Sequence, residues 1–423
     1  MEPAPTNLPE LPTITRIVFT GDVFRLTQDE REPNQFSNVF WLHNLIAYQV
    51  AQVTGLIPEI CFRTRDYKFG NSLIREAYKL LSLEISKGWE NSFWRQDVPR
   101  DLVELFRTDY ENALVIAFEL SPIMECILNE LECAWVDVAV SPIRFLDDLL
   151  LSIRLSDHFK SERLLPFVVS RKDIRYGADY VGRWLQSKEV KTALNDNDVV
   201  FFAQSEIDRT LITQQGSFFS PEEAVARLAE LVGKRRLWIK PHPYSLKNPV
   251  VQMAMERLGG HLIAENAYGI LSADVDIDVV TISSSVGCEA PWFAKRATLF
   301  NDCVLRRSDE ALTIRDEHYF SEFWRVLLEQ IVPVSVFHRA GRADLRHPAL
   351  RQVPPSEPNI IRKQLGFWGM PGDLWPENDS VLPLPKRMWR RVYRCLPAKL
   401  QASLAVLAAR CRQHDEQAAG VHF

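Results

Sequence analysis

Little in this chain invites a membrane span, a disulfide framework or a structural metal. None of its 423 residues belongs to a long apolar run, whereas a membrane-spanning helix needs roughly 20 apolar residues in succession. Seven cysteines, an odd number, stand apart at Cys61, Cys126, Cys133, Cys288, Cys303, Cys395 and Cys411, with no CxxC pair among them. That scatter argues against a zinc site or a disulfide scaffold and suits a reducing cytoplasm. The first residues, Met1–Thr15, are Pro-rich and polar. They lack the basic start and apolar middle of a signal peptide, and residues 1–14 are expected to be disordered. The formal net charge of -5 gives no bulk reason to expect nucleic acid as a partner.

What is present is an ordinary globular composition, 46% hydrophobic and 25% charged, on a chain long enough for two or three domains. Strand-like and helix-like patterns alternate, which predicts parallel sheets covered by helices. A strand is expected over Thr15–Thr20 with a turn at Gly21–Asp22, and helices over Phe40–Thr54 and Ser72–Ile85. The apolar strand Ala113–Phe118 leads into Glu119–Leu120–Ser121–Pro122, where Ser121 suits a helix cap and Pro122 the first helical position. Trp135–Val140 repeats the design and ends at Ser141–Pro142 before another helical run. Lys, Glu, Asn and Asp cluster near Ser187–Asp198 and suggest a boundary. Beyond it come strands at Val199–Ala203, Arg236–Lys240, Val275–Ile282 and Ala297–Phe300, and a helix at Pro221–Val232 capped by Ser220. These patterns divide the chain into α/β domains at 15–195 and 196–345. A Pro-rich connection and amphipathic helices follow over 346–423.

Two strand ends carry the strongest chemical signals. Ile239–Lys240–Pro241–His242–Pro243 brings a Lys and a His to the carboxyl end of a strand in a loop stiffened by two prolines. Ligands of open α/β sheets bind at that edge, and these two residues suit a phosphate or carboxylate. The plainer alternative is an ordinary loop histidine. In Ser283–Ser284–Ser285–Val286–Gly287–Cys288–Glu289, three hydroxyls follow a strand and open a helix. A helix start favours anions through its unpaired N–H groups, and Glu289 suits ribose hydroxyls. Alternatively the serines are only caps and Glu289 only complements the helix dipole.

Taken together, Lys240–Pro241–His242–Pro243 and Ser283–Ser284–Ser285 with Glu289 resemble the nucleotide-binding domain of the bacterial β-Kdo transferases of capsule and lipopolysaccharide synthesis. They resemble more distantly the bacterial sialyl- and polysialyltransferases. Weaker matches lie at Gly21–Asp22–Val23–Phe24–Arg25, at Phe118–Glu119–Leu120–Ser121–Pro122, and at Gln204 followed by Asp208. The resemblance implies a GT-B-like fold of two Rossmann-like domains facing across a cleft, closed by C-terminal amphipathic helices. It implies a CMP-Kdo donor bound by Lys240, His242, Ser283, Ser284, Ser285 and Glu289, with no further cofactor. The reaction implied is transfer of Kdo to a surface polysaccharide (O-antigen or capsule), with retention.

Retention by double displacement needs one carboxylate as nucleophile and another as acid/base. By the resemblance these are Asp208 and Glu119 respectively. The simpler roles are a helix cap ahead of Thr210–Thr213 for Asp208 and a solvated carboxylate beside Ser121 for Glu119. Asp22, Arg25 and Gln204 are substrate-binding candidates. Arg25 suits a sugar carboxylate through a bidentate pair, or else simply binds Asp22 or Asp29. Asp274, Asp276 and Asp278 form overlapping D-x-D patterns, but they read as the start of a strand with one wet face. A single-phosphate donor has little need of a metal, and none is expected.

The tail sets Lys386, Arg387, Arg390, Arg391, Arg394 and Lys399 among Trp389, Tyr393, Leu396 and Leu400. A helix of this kind suits peripheral contact with an anionic membrane, consistent with a lipid-linked glycan acceptor and a cytoplasmic protein at the inner face of the inner membrane. The alternative is a terminal helix packed back on the first domain. Rival functions are the same fold with CMP-sialic acid or a UDP-sugar, and a noncatalytic partner in polysaccharide assembly.

Overall fold

Short apolar runs, buried on both faces, organise the protein around two sheets. The computed structural model describes residues 14–26, 36–61, 70–146, 148–186, 192–242, 245, 248–331, 345–348 and 350. The chain divides into a unit at Met1–Leu374 and a second at Trp375–Phe423. The basic helices expected in the tail, the Pro-rich connection from 351 onward and residues 1–13 all lie outside the described residues. Among the described residues no helix is long and apolar enough to cross a membrane.

In chain order the first five strands are β1 (Arg16–Gly21), β2 (Glu59–Ile60), β3 (Ala113–Phe118), β4 (Trp135–Val140) and β5 (Leu151–Leu155). The next five are β6 (Val199–Phe202), β7 (Leu237–Lys240), β8 (His261–Leu262), β9 (Asp278–Thr281) and β10 (Arg296–Leu299). The last among the described residues, β11 (Leu312–Ile314), returns to the first sheet, whose order is β11-β5-β4-β3-β1-β2. The second sheet runs β10-β9-β6-β7-β8 and is parallel throughout. In β6, Val200 and Phe202 enter one core while Val199 and Phe201 enter another. A strand covered on both faces must be apolar at every position, which is why it reads as a continuous run.

The helix Pro221–Val232 shows how local sequence sets an element. Ser220 accepts from the Glu223 N–H at 3.1 Å, Pro221 stands in the first turn, and Gly233 follows the end at φ 57°. Its buried face is Ala224, Val225, Leu228 and Val232, at helical spacing against the second sheet.

Two expectations are corrected. Ser121 does not cap the helix Pro122–Glu130; its hydroxyl donates instead to Asp22. The helical run expected after Ser141–Pro142 is absent. The chain turns back there and enters β5, antiparallel to β4, with the Ser141 N–H donating to the Leu150 carbonyl at 2.9 Å.

Packing does not follow chain order. The helix Arg171–Gln186 buries Ile174, Ala178, Val181 and Leu185 in a core with Val200 and Phe202 of the second sheet. Conversely, Phe323, Trp324, Leu327 and Leu328 of the helix Ser321–Leu328 join the core of the first. Trp324 is fully buried, and its indole N–H donates to the His318 carbonyl at 2.9 Å. Trp324→Ala should therefore destabilise the protein by about 3–5 kcal/mol in urea unfolding, a core-residue loss even though it lies late in the chain.

Candidate functional site

Both sheets place polar residues just past the carboxyl ends of their strands, next to the points where strand order reverses. In the first sheet the reversal lies between β1 and β3, which lead directly into Asp22 and Glu119. In the second it lies between β6 and β9, which lead to Gln204 and Ser283. Such switch points leave a crevice in open α/β sheets. Here each crevice is bridged. Ser121 donates to Asp22 Oδ1 at 2.9 Å across the first, and Gln204 Nε2 donates to Ser283 Oγ at 2.7 Å across the second.

Asp22 is almost fully buried and is held by three donors. Besides Ser121, the Phe24 N–H reaches Oδ1 at 3.2 Å and the Trp89 indole N–H reaches Oδ2 at 2.8 Å. Burial raises its pKa above the usual carboxylate value, and these donors oppose the rise. Asp22 therefore organises the loop that carries Arg25. The Arg25 guanidinium lies 4.5 Å from the Trp89 ring centroid and feels the charges of Asp208, Glu119 and Asp22.

Glu119 sits at φ 56°, a left-handed backbone uncommon for a residue with a side chain. Its N–H donates to Val138 O at 3.1 Å, which fixes the turn as β3 ends. Its carboxylate pairs at 3.1 Å with Arg209, from the loop after β6, and both side chains are largely buried. Burial raises the Glu119 pKa; Arg209 and Arg25 pull it down, while Asp208 and Asp137 push it up. Glu119 of the first sheet and Asp208 of the second thus share one electrostatic neighbourhood with Arg25 and Arg209.

Asp208 does cap a short turn. Its Oδ1 accepts from the Thr210 N–H and the Thr210 hydroxyl, each at 2.9 Å. No hydrogen bond among the described residues uses Oδ2. Thr210 in turn accepts from Ser283 Oγ at 3.0 Å and from Gln204 Nε2 at 3.3 Å. A continuous hydroxyl–amide chain therefore links Asp208 to the serine loop. His242 joins the same neighbourhood: burial lowers its pKa, the Asp208 charge opposes this and Arg144 adds to it.

The other candidates have partners of their own. Lys240 donates to the Ala264 carbonyl at 3.1 Å, and burial lowers its pKa against the pull of Glu265. Glu289 is buried, and its Oε1 accepts from the Arg144 N–H at 2.7 Å and the Tyr268 hydroxyl at 2.8 Å. Ser283 is buried in the network just described, while Ser284 and Ser285 are half-buried. The helix they open, Val286–Glu289, is a single turn. Asp278 is engaged by Arg235 and Arg296, which offset its burial and hold its carboxyl below the usual range. No cluster of three or more His, Cys, Asp or Glu suited to a metal occurs among the described residues.

Sequence reading missed Arg209 and Thr210, the residues that tie the candidates together. Their only signal was adjacency to Asp208. It missed Trp89 and Tyr268 as well, whose indole and phenol select Asp22 and Glu289 only once the chain is folded.

The molecule is thus a two-sheet α/β protein whose polar residues converge from both sheets at strand ends. No protein-family model matches the chain, and no curated protein matches it. Among solved structures it is similar to KpsC of Thermosulfurimonas dismutans, described as a β-Kdo 2,7 transferase. The two are 17% identical with TM-score 0.31, over 48% of this chain and 69% of that one. A second structure of KpsC from that organism, described as a β-Kdo 2,4 transferase, is 15% identical with TM-score 0.30, over 44% and 67%. Both likenesses are distant.

The sign of each charge on Glu119 is testable. Arg209→Gln should raise the Glu119 pKa further and Asp208→Asn should lower it, read by carboxyl-carbon NMR titration of labelled protein.

Proposed function

We propose that the protein is a GT-B glycosyltransferase that moves Kdo from CMP-Kdo to a surface glycan with retention. The observation that carries this reading is the 3.1 Å pair between Glu119 of the first sheet and Arg209 after β6, with the Asp208 charge felt by both Glu119 and Arg25. Asp208 is the nucleophile. Its Oδ1 is held by Thr210, which fixes the side chain for attack through Oδ2 on the anomeric carbon as CMP departs. The product of that step is a glycosyl ester of Asp208. Glu119 is the acid/base. Its raised pKa suits a group that takes a proton from the acceptor hydroxyl as that oxygen attacks the ester. Retention follows from two inversions at one carbon.

In this reading the donor lies on the second sheet. His242 and the Ser283–Ser285 loop take the CMP phosphate, and the Gln204–Ser283–Thr210 chain sets the loop against Asp208. Arg25 pairs with the keto acid carboxylate across the cleft. Glu289 and Lys240 keep the loops in place through Tyr268, Arg144 and Ala264, which is a supporting role rather than direct contact with ribose. No metal takes part. The acceptor is a lipid-linked glycan, reached at the inner face of the inner membrane.

The reading is tested by thermal unfolding with CMP, UDP and GDP. A ligand present at about 100 times its Kd adds roughly 2.7 kcal/mol to the native state. CMP alone should raise the melting temperature, and His242→Ala should abolish the shift. A UDP or GDP shift would replace the donor, and no shift with any nucleotide at millimolar concentration would remove the transferase reading. In a transfer assay, Asp208→Ala should lower kcat by at least about a thousandfold with the fold intact. Full activity in that variant would exclude the nucleophile.

A further inference from the structure

Beside Glu119, on the side of the first sheet toward β5, a polar cavity opens that the proposed donor chemistry does not use. Its lining includes Asp137, Ser152, Arg154, Arg209, Arg307 and Ser308. The strand register explains the grouping. Asp137 pairs with Arg154 and Ala139 with Ser152, so these side chains project from one face of the β4–β5 hairpin. Arg307 arrives from the segment that returns to the first sheet, and Arg209 from the loop after β6.

The charges are arranged to leave donors available. Asp137 Oδ1 accepts from the Leu120 N–H at 2.7 Å, and its Oδ2 accepts from Arg154 at 2.7 Å. Glu125 Oε1 bridges Arg154 and Arg307 from outside the lining. The lining carboxylate is thus fully engaged. No hydrogen bond of Arg154 or Arg307 among the described residues uses its Nη1 group. A guanidinium offers five donors, so both retain N–H groups for another acceptor. Independently, Ser152 is 3% exposed and its hydroxyl has no partner among the described residues. A buried hydroxyl without a partner is costly unless a water or a bound group meets it. Burial and the nearby Arg154 charge lower the Arg307 pKa against the pull of Glu125, so a further anion there would be welcome.

We infer that this cavity is an anion subsite for the acceptor, holding a sugar carboxylate or sugar phosphate beside Glu119. The assignment of the anion to an acceptor rests on the proposed transferase reading; the anion chemistry itself does not. Arg209 links the two places, since it lines the cavity and also pairs with Glu119. An acceptor gripped there would present a neighbouring hydroxyl to the Glu119 carboxylate.

The test is calorimetric titration of the full chain with D-glucuronate, glucose 1-phosphate and glucose, alongside CMP. One of the anionic sugars should bind at least about tenfold more tightly than glucose, and the tighter of the two identifies carboxylate or phosphate. Ser152→Ala removes only a hydroxyl with no protein partner, so it should keep the melting temperature while weakening the anionic sugar about threefold. Arg307→Gln should weaken it about tenfold or more. CMP affinity should be unchanged in both variants. Equal binding of glucose and the anions, or an unchanged anion affinity in Ser152→Ala, would overturn the subsite. If CMP fails to bind the wild type while the anion results hold, the transferase reading falls and the anion subsite stands.

Discussion

The ion pair between Glu119 and Arg209 is the contact on which the site depends. It joins the end of β3 in the first sheet to the loop after β6 in the second, with less than a quarter of either side chain exposed. A charge so placed is costly without its partner, and losing one member of a buried pair commonly costs about 3–5 kcal/mol. The pairing therefore does more than attract. It holds Glu119 in its left-handed turn and keeps Asp208, the residue before Arg209, against the same cluster. Other cross-contacts support this one. Asn91 Nδ2 donates to Gly216 O at 2.6 Å, and the Trp94 indole N–H donates to Ile212 O at 3.2 Å. Together they fasten the loop after β6 to the helix Gly88–Phe93 and its end.

Much of this arrangement was legible in the sequence because a parallel strand announces itself. Ala113–Phe118 and Trp135–Val140 are apolar throughout or nearly so, and a polar residue follows each at the carboxyl edge of the sheet. The serine at 220 before Pro221 and two glutamates was equally readable, since a helix cap is a local event. The β4–β5 hairpin was not. The segment after Ser141 is apolar enough for a helix, and only pairing with β4 selects a return strand. Nor was the exchange of helices between cores, because Arg171–Gln186 and Ser321–Leu328 have amphipathic patterns that say nothing about which sheet they cover.

The site was legible in the same uneven way. Motifs at strand ends picked out Asp22, Glu119, Gln204, Asp208, His242 and Ser283, and the fold gathers them around the two switch points. Roles within the gathering depend on partners far away in sequence. Asp22 stands at a strand end where ligands bind, and its partners Trp89 and Ser121 come from far along the chain. Glu289 follows the serine loop as a ribose acceptor would, and the Tyr268 hydroxyl and Arg144 N–H that meet its Oε1 come from elsewhere in the chain. Arg209 carries no motif of its own, and its importance appears only when its guanidinium meets Glu119 at the end of β3.

Burial and hydrogen bonding set the two carboxylates apart. Asp208 is held through one oxygen by Thr210, whereas Glu119 lies where desolvation favours its protonated form. The central claim is that the two act in sequence on one carbon, and intact-protein mass spectrometry tests it most directly. Glu119→Gln incubated with CMP-Kdo should accumulate protein heavier by one Kdo residue, with peptide mapping placing the adduct on Asp208. Transfer that proceeds without any adduct, or an adduct on another residue, would contradict the account.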